Sequence, residues 1–226
     1  MAKLKDSILK STQEKYSNVD VATYAVLCAI YEKSEYRPLH VDVTEMARIL
    51  FHTNSPTSSN KNIVRKSLAK LGMPNEVINY DLFVDINNRS DYYTEVYVED
   101  LSKVLSEGSS KFRFALLRTY LGILSTFNSK HAKKIGYMSI AGMSQIFNIS
   151  SVTLNKHIKC LQNSKVLYCR RRHGFNTSNV YSRWADRKLA DEYVETHESK
   201  SKHADMYEEE YEEKTGTAVD SMSDLF

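Results

Sequence analysis

Arg170, Arg171, Arg172 and His173 stand in a row, just ahead of a Gly-Phe-Asn-Thr-Ser-Asn stretch at residues 174–179. A guanidinium group forms paired hydrogen bonds to phosphate or to a base edge. Successive side chains of an extended segment alternate faces, so three consecutive Arg cannot all serve one buried partner. At least one of them is left for solvent or for a polyanion. Earlier in the chain, Leu154, Ile158 and Leu161 recur at i, i+4 and i+7. In a helix this spacing turns the three aliphatics inward and leaves Ser151, Val152, Asn155, Lys156 and Lys159 outward. Asn pairs with adenine and Lys with guanine in a major groove, and Ser tolerates several partners. The free N–H groups at a helix start suit a phosphate. Asn176, Thr177 and Asn179 suit a turn and phosphate contacts alike. The alternatives are a solvated helix face and a charged strand edge that blocks unwanted pairing.

Charge along the chain favours the polyanion. From Lys111 to Ala190 there are fifteen Lys or Arg and one acidic residue, Asp186, a net of +14. Residues 1–110 carry −2 and residues 191–226 carry −9, so the whole chain shows only +3. A block of one sign repels itself on folding, and it gains by releasing condensed counterions from a nucleic acid.

Other chemistries lack their residues. No GxxxxGK[ST] phosphate loop is present, which argues against an ATPase. His157 and Cys160 form an HxxC pair, but no second pair stands at zinc-ligand spacing. Cys28, Cys160 and Cys169 are an odd number without framework spacing, so reduced thiols are expected. The carboxylates at residues 207–213 are too clustered for acid–base work. The expectation is a protein that is not an enzyme and needs no cofactor or metal. The N-terminal segment is charged, and no stretch approaches the eighteen apolar residues of a membrane span. A soluble, cytoplasmic protein is expected.

The elements that must position these residues follow from periodicity. Val19–Tyr36 reads as a helix with Val21, Tyr24, Ala25, Cys28, Ala29 and Tyr31 inward, Thr44 caps a helix through His52, and Lys61–Leu71 is a third. Asn79–Ile86 and Tyr92–Glu99 flank a hairpin turn. The order then repeats. Lys111–Phe127 is a helix with Phe112, Leu116, Tyr120, Ile123 and Phe127 on one stripe. Tyr137–Met138 is extended, Ser139 caps a helix through Phe147, Asn148–Ser150 is a turn and Ser151–Asn163 is a helix. Lys165–Arg172 and Asn179–Trp184 are strands, and a further helix starts near Ala185. The division expected is an N-terminal arm (1–18), a first domain (19–105), a linker (106–110), a basic domain (111–190) and an acidic tail (191–226).

Three helices followed by a two-stranded hairpin resembles the winged variant of the helix-turn-helix, most specifically in YMSIAGMSQIFNISSVTLNKHIKCLQNSKVLYCRRR. The fold class expected is mainly α with small β-hairpins (α+β), as two tandem winged helices plus an acidic tail. A tandem pair in a small Lys- and Asn-rich chain looks like the replication initiators of bacterial plasmids and the replisome organisers of phages, including the helicase-loader group. That resemblance implies one winged helix for dimerisation and one for reading origin repeats in double-stranded DNA, with recruitment of host replication proteins. In the first half, Lys61 and Arg65 occupy the corresponding helix, in a slightly acidic background that favours the pairing role. The end of the chain, with Asp224, Leu225 and Phe226, resembles bacterial sliding-clamp-binding peptides, with Met222 where those have Gln. It also resembles the tails of bacterial single-stranded-DNA-binding proteins. Two rivals remain: a transcriptional, partition or transfer regulator on the same fold, and a replisome adaptor that binds proteins. The acidic tail could also compete with DNA for the basic domain.

Overall fold

The computed structural model describes residues 2–9, 14–33, 40–77, 93–127, 134–171 and 178–197. Arg172, His173, Asn176 and Thr177, most of the first-half hairpin, and Asp224, Leu225 and Phe226 lie outside the described residues.

The architecture is mainly helical with small antiparallel sheets. Its order is β1 (Ala2–Lys5), α1 (Asp6–Leu9), α2 (Asn18–Lys33), α3 (Val43–Phe51), α4 (Ser58–Lys70), β2 (Tyr93–Val96), α5 (Val98–Leu105) and α6 (Ser110–Leu124). It continues with β3 (Ile135–Met138), α7 (Ile140–Phe147), α8 (Ser151–Asn163), β4 (Leu167–Arg170) and β5 (Asn179–Arg183). A 3-10 turn at Trp184–Asp186 leads into a helix at residues 187–197, here α9.

The helices start and stop where local chemistry requires. Asp42 caps α3, its carboxylate accepting from the N–H groups of Thr44 and Glu45; the cap is thus two residues before the expected Thr44. Thr57 caps α4, Ser109 caps α6, Ser139 caps α7 and Ser150 caps α8. Each supplies an oxygen to an N–H that the helix itself leaves unpaired.

Two helices form the centre. Between Val21 and Ala29 every residue of α2 is buried, and α6 buries Phe114, Leu116, Leu117, Tyr120, Leu121, Ile123 and Leu124. A helix that is apolar around most of its circumference must be covered on several sides. α2 and α6 pack against each other, and one hydrophobic cluster runs from Ala2 to Tyr181 through both halves. Phe51 and Phe114 meet edge to face at 5.5 Å across this seam. Arg118 donates to the Tyr16 carbonyl, and Tyr120 Oη donates to Asp100 Oδ2 at 2.9 Å.

Three expected features differ. The 106–110 stretch is a turn between two packed helices, with Gly108 at φ +51° accepting from Arg113 Nη2. The N-terminal arm contains β1, which pairs antiparallel with β2 in the register Ala2–Val96 to Lys5–Tyr93. Leu4 is fully buried there, and Thr94 Oγ1 donates to Asp6 Oδ1 at 2.6 Å. Val98 and Glu99, expected in a strand, begin α5 instead, because Val98–Leu105 buries Leu101, Val104 and Leu105 at helical spacing.

The second half contains the three-stranded sheet, in the order β3-β5-β4 and antiparallel throughout. Side-chain alternation divides its two faces. Leu167, Cys169 and Tyr181 face the main core and α8, whereas Tyr168 and Val180 face a smaller cluster with Ile135, Ala190 and Val194. The latter two belong to α9, which therefore covers the back of the sheet. The expected boundary between residues 190 and 191 cuts through this packed helix.

Candidate nucleic-acid interface

α7 and α8 meet at a turn of three residues. Asn148 closes α7 in the left-handed conformation (φ 50°, ψ 48°), which Asn tolerates better than most residues. Ser150 then opens α8, its Oγ accepting from Thr153 N at 3.1 Å. The hydroxyls of Ser144 and Ser151 meet at 3.0 Å and tie the two helices together. In the first half the equivalent connection, from His52 to Thr57, is twice as long.

α8 presents the expected faces. Leu154, His157, Ile158 and Leu161 are buried, and Ser151, Val152, Asn155, Lys156 and Lys159 are exposed. His157 is the buried polar member. Its Nδ1 lies 2.8 Å from Thr119 Oγ1, and its ring meets Phe112 edge to face at 5.5 Å. Burial, and secondarily the Lys156 charge, lower its pKa below the ordinary imidazole value. It belongs to the α6–α8 contact; among the described residues no group of three or more His, Cys, Asp or Glu converges.

Between α8 and the front of the sheet lies a cleft of about 480 Å³, lined by Ile140, Asn155, Ile158, Lys159, Gln162, Cys169, Arg171 and Asn179. It brings together two side chains of the helix, Asn155 and Lys159, and two of the strand pair, Arg171 and Asn179. Asn155 Nδ2 donates to the Ser151 carbonyl at 2.9 Å, and Asn179 Nδ2 donates to Tyr181 Oη at 3.2 Å. Burial pushes the Cys169 thiol up to about 11, so the sulfur in the cleft is neutral. The cleft thus combines three amides, Asn155, Gln162 and Asn179, with two cations.

Arg170 is separated from this group. It shares the back face with Tyr168 and lies 3.8 Å from Asp191 of α9, which also accepts from Tyr168 Oη at 2.7 Å. Strand alternation therefore sends Arg171 to the cleft and Arg170 to an acidic residue of the C-terminal helix. Lys156 Nζ sits 5.8 Å from the Phe112 ring centroid, on the α6 side of α8.

Not every cation of the basic block serves the surface. Arg113 and Arg183 are buried, and Arg118 is half-buried against Tyr16. Arg183 donates from Nη2 to the Glu95 carbonyl and lies between the Tyr97 and Phe127 rings at 5.3 and 5.6 Å. It joins β5 to β2 of the first half, and net charge by itself gives no hint of that role.

The first half is arranged differently. Lys61 is half-buried on α4, and Arg65 pairs with Glu76 at 2.8 Å. Lys70 lies 3.1 Å from the buried Asp20 carboxylate, which also accepts from Ser17 and Ser67. These hydrogen bonds hold the Asp20 carboxyl below the usual carboxylate range against the opposing effect of burial. Two of the helix's cations are thereby occupied within the fold. Among the described residues no helix is long and apolar enough to cross a membrane. No protein-family model, curated protein or solved structure matches the chain.

Proposed function

We propose that the chain is a sequence-specific double-stranded-DNA-binding protein of winged-helix type, acting as a replication initiator of a plasmid or phage. The observation that carries DNA binding is the convergence of Asn155, Lys159, Arg171 and Asn179 on one cleft beside an exposed helix face. A major groove about 12 Å wide admits one α-helix. With α8 in the groove, Asn155 and Lys159 reach base edges while Arg171 and Asn179 reach the adjacent backbone or minor groove. The strand order β3-β5-β4 behind a helix–turn–helix supports the winged-helix reading of the second half.

In the first half, the longer α3–α4 connection and the occupied cations Arg65 and Lys70 favour pairing between protein copies over DNA reading. The replication role rests on the tandem layout and on the terminal Asp-Leu-Phe peptide, which would engage a clamp-like partner.

The test is duplex binding by fluorescence anisotropy at 50 and 200 mM salt, followed by mapping of bound fragments from the source genome. Binding that weakens steeply with salt, at repeats clustered in a replication origin, is the expected result. Sites overlapping promoters would replace the initiator by a transcriptional regulator. Absence of salt-dependent duplex binding would favour the protein-binding adaptor.

A further inference from the structure

Val152 is the most exposed of the large hydrophobic residues described, at 80%, ahead of Ile146 at 59%. It sits in the first turn of α8, where a β-branched residue gains nothing from helix propensity. Packing does not account for it either. Along the helix Val152, Asn155 and Lys159 stand at i, i+3 and i+7, so all three share one stripe. Two of them line the cleft, and Val152 continues the stripe beyond its end.

Resting on the DNA-binding reading above, we propose that Val152 and Asn155 read two neighbouring A·T pairs, Val152 through the C5-methyl of a thymine and Asn155 through adenine N6 and N7. Val offers neither donor nor acceptor. The thymine methyl is the one apolar feature that distinguishes base pairs on the major-groove floor. The spacing fits: three helical residues advance about 4.5 Å, and successive base pairs lie about 3.4 Å apart. The Asn155 side chain makes a hydrogen bond within its own helix turn, and releasing the Ser151 carbonyl presents both its amide oxygen and its amide NH2 to the adenine. The preferred site therefore contains an A·T step at the position reached by the start of α8, and Lys159 contacts the next pair or the phosphate beyond it.

The experiment selects duplexes from a random pool with the full-length protein, then replaces each thymine of the selected site by deoxyuridine, which removes only the methyl. Wild-type protein and Val152→Ala are compared by anisotropy. Because Val152 is exposed, the variant keeps its thermal midpoint, and that is measured alongside. For the wild type, one thymine should show about a fourfold loss on methyl removal, the size of one buried methyl group. In Val152→Ala that loss should shrink to less than about 1.5-fold, and Asn155→Ala should relax preference at the neighbouring pair. Equal methyl sensitivity in wild type and Val152→Ala would overturn the assignment and leave DNA binding standing. So would a selected site without thymine sensitivity, or binding with no sequence preference. Failure to bind any duplex would remove this inference together with the reading it rests on.

Discussion

Replacing Arg171 and Arg170 separately by Ala tests whether strand alternation chooses the cation that meets DNA. The two residues are adjacent in sequence and identical in type, and both are exposed. They differ in what they face: Arg171 lines the cleft with Asn155 and Lys159, while Arg170 lies 3.8 Å from Asp191 on the other side of the sheet. A single phosphate contact contributes about 0.9 to the slope of log K against log salt concentration. Over a fourfold rise from 50 to 200 mM, that is a factor of roughly 3.5 in affinity per contact. Arg171→Ala should therefore reduce the slope by about 0.9. Arg170→Ala should leave the slope unchanged. It should lose at most about 1 kcal/mol of folding stability from its half-exposed pair with Asp191. Anisotropy titrations at five salt concentrations against one duplex give both slopes. Equal slope changes for the two variants would refute the division of faces. No change in either would take the strand pair out of the interface.

Arg183→Ala should cost about 3 kcal/mol, because it removes a charge-assisted hydrogen bond to Glu95 and two ring contacts at once; urea unfolding measures it. Since the core is continuous through α2 and α6, far-UV circular dichroism and Trp184 fluorescence should report one coincident transition in the wild-type protein. Ser150→Ala should lower stability by about 1 kcal/mol through loss of the α8 cap, read from the same unfolding curves. His157 has a folded pKa below its ordinary 6.5, so as pH falls below that value the unfolded chain takes up the proton first and stability drops. His157→Gln should therefore lose less thermal stability than wild type between pH 7.5 and 5.5, and an equal loss in both would show that this imidazole is not the group responsible.

Much of the local structure can be read from residue order. The helix at Ser151–Asn163 follows from Leu154, Ile158 and Leu161 at core spacing after the Asn148–Ser150 turn, and the structure has the same limits. The exposure of Ser151, Val152, Asn155, Lys156 and Lys159 follows from the same periodicity, because side-chain direction along a regular helix is set by the backbone. The burial of α2 and α6 on more than one side was not readable in this way. The stripes chosen for α2 and α6 named one inward face each, but Ala22, Val26 and Leu27 on α2, and Leu117, Leu121 and Leu124 on α6, are buried as well. An excess of apolar residues around a helix signals a second covered side without naming what covers it.

Sequence by itself determined the sign of the charge block, the Ser139 cap, the α7–α8 turn and the outward residues of α8, all of which depend on neighbours a few positions away. Tertiary structure decided which cations remain available. Arg183 and Arg113 are drawn into the core, Arg170 is turned toward Asp191, and Arg171 alone of the two described Arg of the triplet joins Asn155, Lys159 and Asn179. It also recruited the N-terminal residues as β1 and placed α9 behind the sheet. The physical reason is that burial and pairing of a charge depend on which surfaces meet across the fold, and contacts between residues as distant as Glu95 and Arg183 leave no periodic trace in the order of residues.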